Sequence, residues 1–134
     1  MFYLLKNIYM LWKKVLIVED DLDIAKLYCN KFEKEWFDVH TVPGWYEALI
    51  YLKTSVPDII LLDLMMPGID WYDTLKILKS QPWFLSKIFI FSNLDNPSDI
   101  NKALELWADW YFLKTSITPK QAVEKVKEVV WISC

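Results

Sequence analysis

The chain has 134 residues, enough for one domain built on a single core. Apolar residues make up 54% and charged residues 25%, which excludes a disordered chain, and a net charge of −3 argues against a nucleic-acid surface. Two distant cysteines and a single histidine argue against a disulfide scaffold and a zinc site, so a reducing, cytoplasmic setting is the expectation.

Residues 1–12 are the longest candidate for a membrane span, but Lys6 and Asn7 break the run well short of the ~18 apolar residues a span needs. They read as an extension, either an over-extended start (with Met10 as the true one) or a frayed tail; a short apolar anchor or partner-binding arm is the functional alternative. Val15-Leu16-Ile17-Val18 fits a strand buried on both faces, and acids follow it at once. Ile24, Leu27, Tyr28 and Phe32 recur at helical spacing. A short β-rich stretch covers residues 37–42, and residues 47–53 read as a helix with Ala48, Leu49 and Leu52 inward.

Ile59-Ile60-Leu61-Leu62 is a second strongly buried strand, ending in Asp63. Pro67 and Gly68 punctuate a loop, and Leu75 and Leu78 mark the next helix. Residues 88–91 form another apolar strand. Asn96 is placed to cap a helix with Pro97 in its first position, and Ile100, Ala103, Leu104 and Trp107 are on its expected inner face. Tyr111-Phe112-Leu113 is the last strand, ending in Lys114. Thr118-Pro119-Lys120-Gln121 is a capping box before a helix lined by Val123, Val126 and Val130.

Five strand–helix units without a repeat predict an α/β fold: a parallel sheet with helices on both faces. Ligands of such sheets bind beyond the carboxyl ends of the strands. There the chain places Glu19, Asp20 and Asp21, then Asp63, then Ser92 and Asn93, then Lys114. Converging carboxylates repel one another and call for a cation. Oxygen ligands without His or Cys select a hard ion, Mg²⁺ by preference. A nearby ammonium and hydroxyl add a donor set for an incoming oxyanion, which together describe a carboxylate that receives a phosphoryl group.

On these residues the chain resembles the receiver domain of two-component response regulators. The carriers are Val15-Leu16-Ile17-Val18-Glu19-Asp20-Asp21, the run from Asp58 through Asp63 to Gly68, Ser92 and Lys114, and the resemblance covers almost the whole chain, with residues 13–134 as the domain. It implies a five-stranded parallel sheet in the order 2-1-3-4-5, flavodoxin-like. It implies Asp63 as phosphoacceptor and Glu19 and Asp20 as the pair that holds Mg²⁺, with Asp63 and the backbone carbonyl of Met65 completing the metal site. Asp21 is expected to be a surface or capping residue. Lys114 is implied as the lysine that pairs with Asp63 or its phosphate, with Ser92 and Tyr111 as the switch hydroxyl and aromatic. The pattern departs from the family at Thr115, where a proline is usual, and at Asn93, where a small residue is usual.

Composition adds an oddity. There are 2 glycines, 8 tryptophans and no arginine. Trp36, Trp71 and Trp107 stand at turns where the family commonly carries glycine, the residue that enters left-handed backbone without strain. This is what results when UGA codons decoded as glycine, as in some bacterial lineages, are translated as tryptophan; a genuinely Trp-rich domain is the alternative, and the codons at these positions decide. Trp at such turns is expected to be exposed or strained.

The resulting expectation is a phosphoacceptor switch, charged by a histidine kinase or histidine phosphotransfer protein and read by a downstream output protein, with no direct nucleic acid partner. It is expected to be no enzyme but a signalling receiver, which catalyses only its own phosphorylation and slow autodephosphorylation. The chain stops soon after the last helix, so output is expected through a partner. Two alternatives stand beside it. A pseudo-receiver interaction module would take no phosphate, and would usually lack the acceptor, the acidic pair or the lysine. A haloacid-dehalogenase-like phosphatase would need a second aspartate where Met65 stands.

Overall fold

The computed structural model describes residues 1–66, 71–93, 96–106 and 108–132, with the backbone alone at Trp71 and Leu106. Pro67, Gly68, Trp107 and Cys134 lie outside the described residues, as does the side chain of Trp71. In chain order the elements are α1 (Phe2–Met10), β1 (Lys14–Val18), α2 (Leu22–Lys34), β2 (Asp38–Val42), α3 (Trp45–Leu52), β3 (Ile59–Leu62), α4 (Trp71–Lys79), β4 (Lys87–Ser92), α5 (Pro97–Leu106), β5 (Trp110–Leu113) and α6 (Pro119–Ile132), with a 3₁₀ turn at Lys114–Ser116.

The five strands form one parallel sheet in the order β2-β1-β3-β4-β5. Side-chain alternation divides the sheet between two cores. Leu16, Val18, Ile60, Leu62, Ile88 and Ile90 point to the face covered by α3, α4 and α5, where Trp45, Leu75 and Ala103 meet them. Val15, Ile17, Ile59, Leu61, Phe89 and Phe91 point to the face covered by α2 and α6, against Phe32, Val123 and Val126. Burial on both faces is why the central strands read as unbroken apolar runs.

Helix starts follow the sequence signals. Asp21 caps α2, its Oδ1 accepting from the Asp23 and Ile24 amides at 3.0 and 3.1 Å. Asn96 Oδ1 accepts from the Ser98 amide at 2.8 Å. Thr118 and Gln121 exchange both bonds of the capping box. Two inner-face assignments differ. Leu27 and Leu104 are exposed, while Ala25, not singled out from the sequence, is buried, and Ala103 is buried as expected. A 3.6-residue period brings either neighbour near the boundary of a helix face, and the smaller side chain fits the closer approach to the sheet.

Residues 1–12, read from sequence as an extension or frayed tail, contain a nine-residue helix, α1, lying on α6. Met10 is fully buried in the α2/α6 core, which the sequence pattern did not indicate. Lys127 of α6, itself buried, donates to Asn7 Oδ1 and to Glu35 Oε2, both at 3.0 Å, and so ties α1 and the end of α2 to α6. The Lys127 ammonium holds the Glu35 carboxyl below its usual range.

α2 ends in a Schellman motif. The Phe37 amide bonds the Phe32 carbonyl and the Trp36 amide bonds the Glu33 carbonyl, with Phe32 and Phe37 in edge contact at 5.3 Å. The residue in the left-handed position is Trp36, at φ 70 and largely exposed. A second case escaped the sequence reading. After α1, Leu11 at φ −58, ψ 128 and Trp12 at φ 63 make a type II turn closed by the Lys13 amide on the Met10 carbonyl. That turn asks for glycine at the position Trp12 fills. Each left-handed tryptophan costs about 1 kcal/mol or more. The exposed edge contact between the two rings returns only about 0.5–1.5 kcal/mol in total. The double variant Trp12→Gly/Trp36→Gly is therefore expected to gain about 1 kcal/mol net. The urea midpoint measures it; a midpoint below that of the parent would refute the strain argument.

Candidate functional site

The carboxyl ends of β1, β3 and β5 lie on one edge because parallel strands share a direction. Glu19 follows β1, Asp63 follows β3, and Lys114 follows β5. Lys114 reaches across the edge. Its Nζ stands 2.6 Å from Glu19 Oε1 and 2.8 Å from Asp63 Oδ2. The other Asp63 oxygen accepts from the Met65 amide at 2.9 Å, so the backbone after β3 fixes the carboxylate. Glu19 and Asp63 are 1% and 3% exposed. Asp20, next to them, is exposed and open to an approaching ligand.

Two buried carboxylates share one ammonium, and titration reflects it. Burial pushes the Glu19 carboxyl up to about 7; the Lys114 ammonium opposes the rise and the Asp63 carboxylate adds to it. For Lys114, burial works to release the proton. The two carboxylates override it and hold the ammonium above its usual range. Lys114 is thus charged, and Glu19 is the group that adjusts.

Glu19, Asp20 and Asp63 each offer an oxygen within a sphere where all lie no more than 4.8 Å apart. Among the described residues, Glu19 Oε2 is a buried oxygen without a hydrogen-bond partner. An unpartnered acceptor amid three carboxylates fits a small hard cation, such as Mg²⁺, which takes oxygen ligands and keeps several waters. A cleft of about 480 Å³ opens here, lined by Glu19, Asp20, Asp21, Ile24, Asp63, Met65, Asn93 and Lys114. The chemistry on offer is a fixed carboxylate, an ammonium bonded to it and room for an oxyanion.

Ser92 and Tyr111 are not in the lining of this cleft. Ser92 ends β4, fully buried, with Asn93 beside it in the lining. Tyr111 sits on β5, opposite Ile90 in register, half-buried against the α3/α4/α5 core. The Met65 side chain is exposed. The peptide bonds at Thr115 are trans. The sequence reading missed the bond from Lys114 to Glu19. It also missed Ile24, the first inward residue of α2, as part of the cleft wall.

The family described as "Response regulator receiver domain" matches residues 15–127. The alkaline phosphatase synthesis transcriptional regulatory protein PhoP of Bacillus subtilis is 33% identical over 118 residues, covering 88% of this chain and 48% of its own. The response regulator SaeR of Staphylococcus aureus is 32% identical over 116 residues, covering 87% of this chain and 50% of its own. The chain therefore spans about half the length of these curated relatives. Among solved structures, a receiver domain of the Francisella response regulator 1452 superposes with a TM-score of 0.80 at 29% identity, covering 91% of this chain and 99% of that one.

Proposed function

Because the chain belongs to the response regulator receiver domain family, we propose that it is a phosphoacceptor switch whose acceptor is Asp63. The observation that carries the reading is the Asp63 carboxylate held between the Lys114 ammonium and the Met65 amide at the mouth of an acidic cleft. One Asp63 oxygen attacks the phosphorus of a phosphohistidine on a kinase or phosphotransfer protein. The O–P bond forms as the N–P bond breaks. The electron pair returns to the imidazole, and the product on this chain is an acyl phosphate.

This chain's residues set the conditions for that step. The Met65 amide and Lys114 orient the carboxylate, and Lys114 moves its positive charge onto the new phosphoryl oxygens. Glu19 and Asp20, with Asp63 and the Met65 carbonyl, are the residues that would hold Mg²⁺. When bound, the ion supplies charge neutralisation for a crowd of oxyanions. Ser92, at the end of β4, is the hydroxyl suited to bond the phosphoryl group, and Tyr111 the aromatic that repacks with it. A cytoplasmic location and a protein output partner belong to the same proposal. No described helix is long and apolar enough to cross a membrane.

Incubation with acetyl phosphate and Mg²⁺, followed by intact mass, tests the reading. A gain of one phosphoryl group is expected, and an unchanged mass would sink it. In the same assay Asp20→Ala should raise the Mg²⁺ concentration for half-maximal uptake by about tenfold, since one of few protein ligands is lost. A superimposable Mg²⁺ titration would remove Asp20 from the metal site.

A further inference from the structure

The helix α1 is built inside out. Its polar residues face the body: Lys6 and Asn7 are half-buried, with Asn7 bonded to Lys127, and Met10 is sealed in the core. Its outer face carries Phe2, Leu4, Leu5, Ile8 and Leu11, each 42–78% exposed. A helix covered on one side by protein and on the other by water has the opposite polarity. An apolar stripe turned outward needs something to cover it.

Charge identifies the cover. From Met1 to Val18 there are three lysines, Lys6, Lys13 and Lys14, and no acid, in a chain whose net charge is −3. Next to this end, Glu35 is paired with the Lys127 ammonium at 3.0 Å, and Asp58 accepts from the Lys14 amide at 2.8 Å. Tyr9 borders the stripe, and Lys13 lies over its ring at 4.3 Å. Aromatic rings and long cationic side chains flanking an apolar stripe are the composition of a helix that lies in a lipid headgroup layer. A second copy is the poorer fit. Five side chains are few against the roughly 20–30 residues a side of a stable interface.

We propose that α1 docks flat on an anionic lipid bilayer, with Phe2, Leu4, Leu5, Ile8 and Leu11 in the headgroup boundary and Lys13 and Lys14 against the headgroup phosphates. The helix lies on the membrane rather than spanning it. None of the five apolar residues is a tryptophan, so the surface is the same whichever way the tryptophan codons are decoded. α1 feeds the start of β1, and the acidic cleft opens beyond its end. The cleft therefore lies at the opposite end of β1 from α1.

The test is flotation of the full chain with vesicles of phosphatidylglycerol and phosphatidylcholine in equal parts, beside vesicles of phosphatidylcholine alone. Binding to the anionic vesicles should exceed the neutral ones by about tenfold or more. It should fall severalfold between about 0.1 M and about 1 M salt, as the screening length drops from ~10 Å to ~3 Å. Leu5→Asp/Ile8→Asp should abolish it with unchanged circular dichroism and melting temperature, and the gentler Leu4→Ser/Ile8→Ser should weaken it. Equal binding to both vesicles, or equal binding by parent and variants, would overturn the proposal. So would a concentration-dependent dimer that the variants dissolve while the parent ignores vesicles; that result would assign the face to a second copy.

Discussion

Asp63→Asn is expected to abolish phosphoryl uptake completely, from acetyl phosphate and from a phosphohistidine donor alike. The amide keeps the shape of the side chain and can still accept from the Met65 amide, but it lacks the anionic oxygen that attacks phosphorus. The variant should fold. Lys114 keeps Glu19 as a partner at 2.6 Å, and removing one of two buried carboxylates that face one ammonium relieves repulsion. Intact mass before and after hydroxylamine reads the result, because an acyl phosphate is cleaved and a serine phosphoester is not. A hydroxylamine-sensitive adduct persisting on Asp63→Asn would move the acceptor to another carboxylate, with Asp20 the nearest candidate.

The second large effect belongs to Lys114. Lys114→Met leaves Glu19 and Asp63, both nearly sealed, without their shared ammonium. Breaking a buried pair by removing one partner costs about 3–5 kcal/mol while the remaining charge stays ionised. Glu19 gives the folded state an escape. Its carboxyl already stands near 7 under the pressure of burial, and without the lysine it moves higher. A carboxyl raised in the folded state binds a proton there that the unfolded chain has released. Its stabilising share is therefore complete below about 4.3 and lost as pH rises through the folded value. The deficit of Lys114→Met should accordingly be about 3 kcal/mol at pH 8 and shrink toward pH 5. Urea midpoints across that range measure it. Adding Glu19→Gln should restore much of the loss at pH 8, and millimolar Mg²⁺ should do likewise by binding only the folded state. A deficit independent of pH would show that Lys114 matters through packing instead.

The fold and the acidic edge were legible because each depends on local signals. Apolar runs ended by acids mark buried parallel strands, and Asp21, Asn96 and Thr118 cap helices where their side chains predict. What stayed hidden depends on contacts distant in sequence or on a residue standing in for another. The Lys114 bond to Glu19 joins positions 95 apart, and nothing local distinguishes it from the bond to Asp63. The Trp12 turn was invisible because its glycine signal was absent. α1 was read as a tail because Lys6 and Asn7 interrupt an apolar run, and only the structure shows that those two face inward.

The central place of β1 in the sheet has a consequence for how the molecule comes apart. β1 is bonded on both sides, to β2 at Lys14–Asp38 and to β3 at Val15–Ile59, and the second pairing closes a loop roughly twice as long as the first. Doubling a loop adds only about 0.6 kcal/mol of closure entropy. The larger fact is connectivity: freeing β1 severs the sheet, whereas β5 is held by a single neighbour and can peel away with its 3₁₀ turn. Since Lys114 rides on that outer strand, partial opening from this edge withdraws the ammonium while Glu19 and Asp63 stay in place. Amide exchange should then be faster at Tyr111 and Phe112 than at Leu16 and Ile17, and equal rates at the two sites would mean the sheet opens only as a whole.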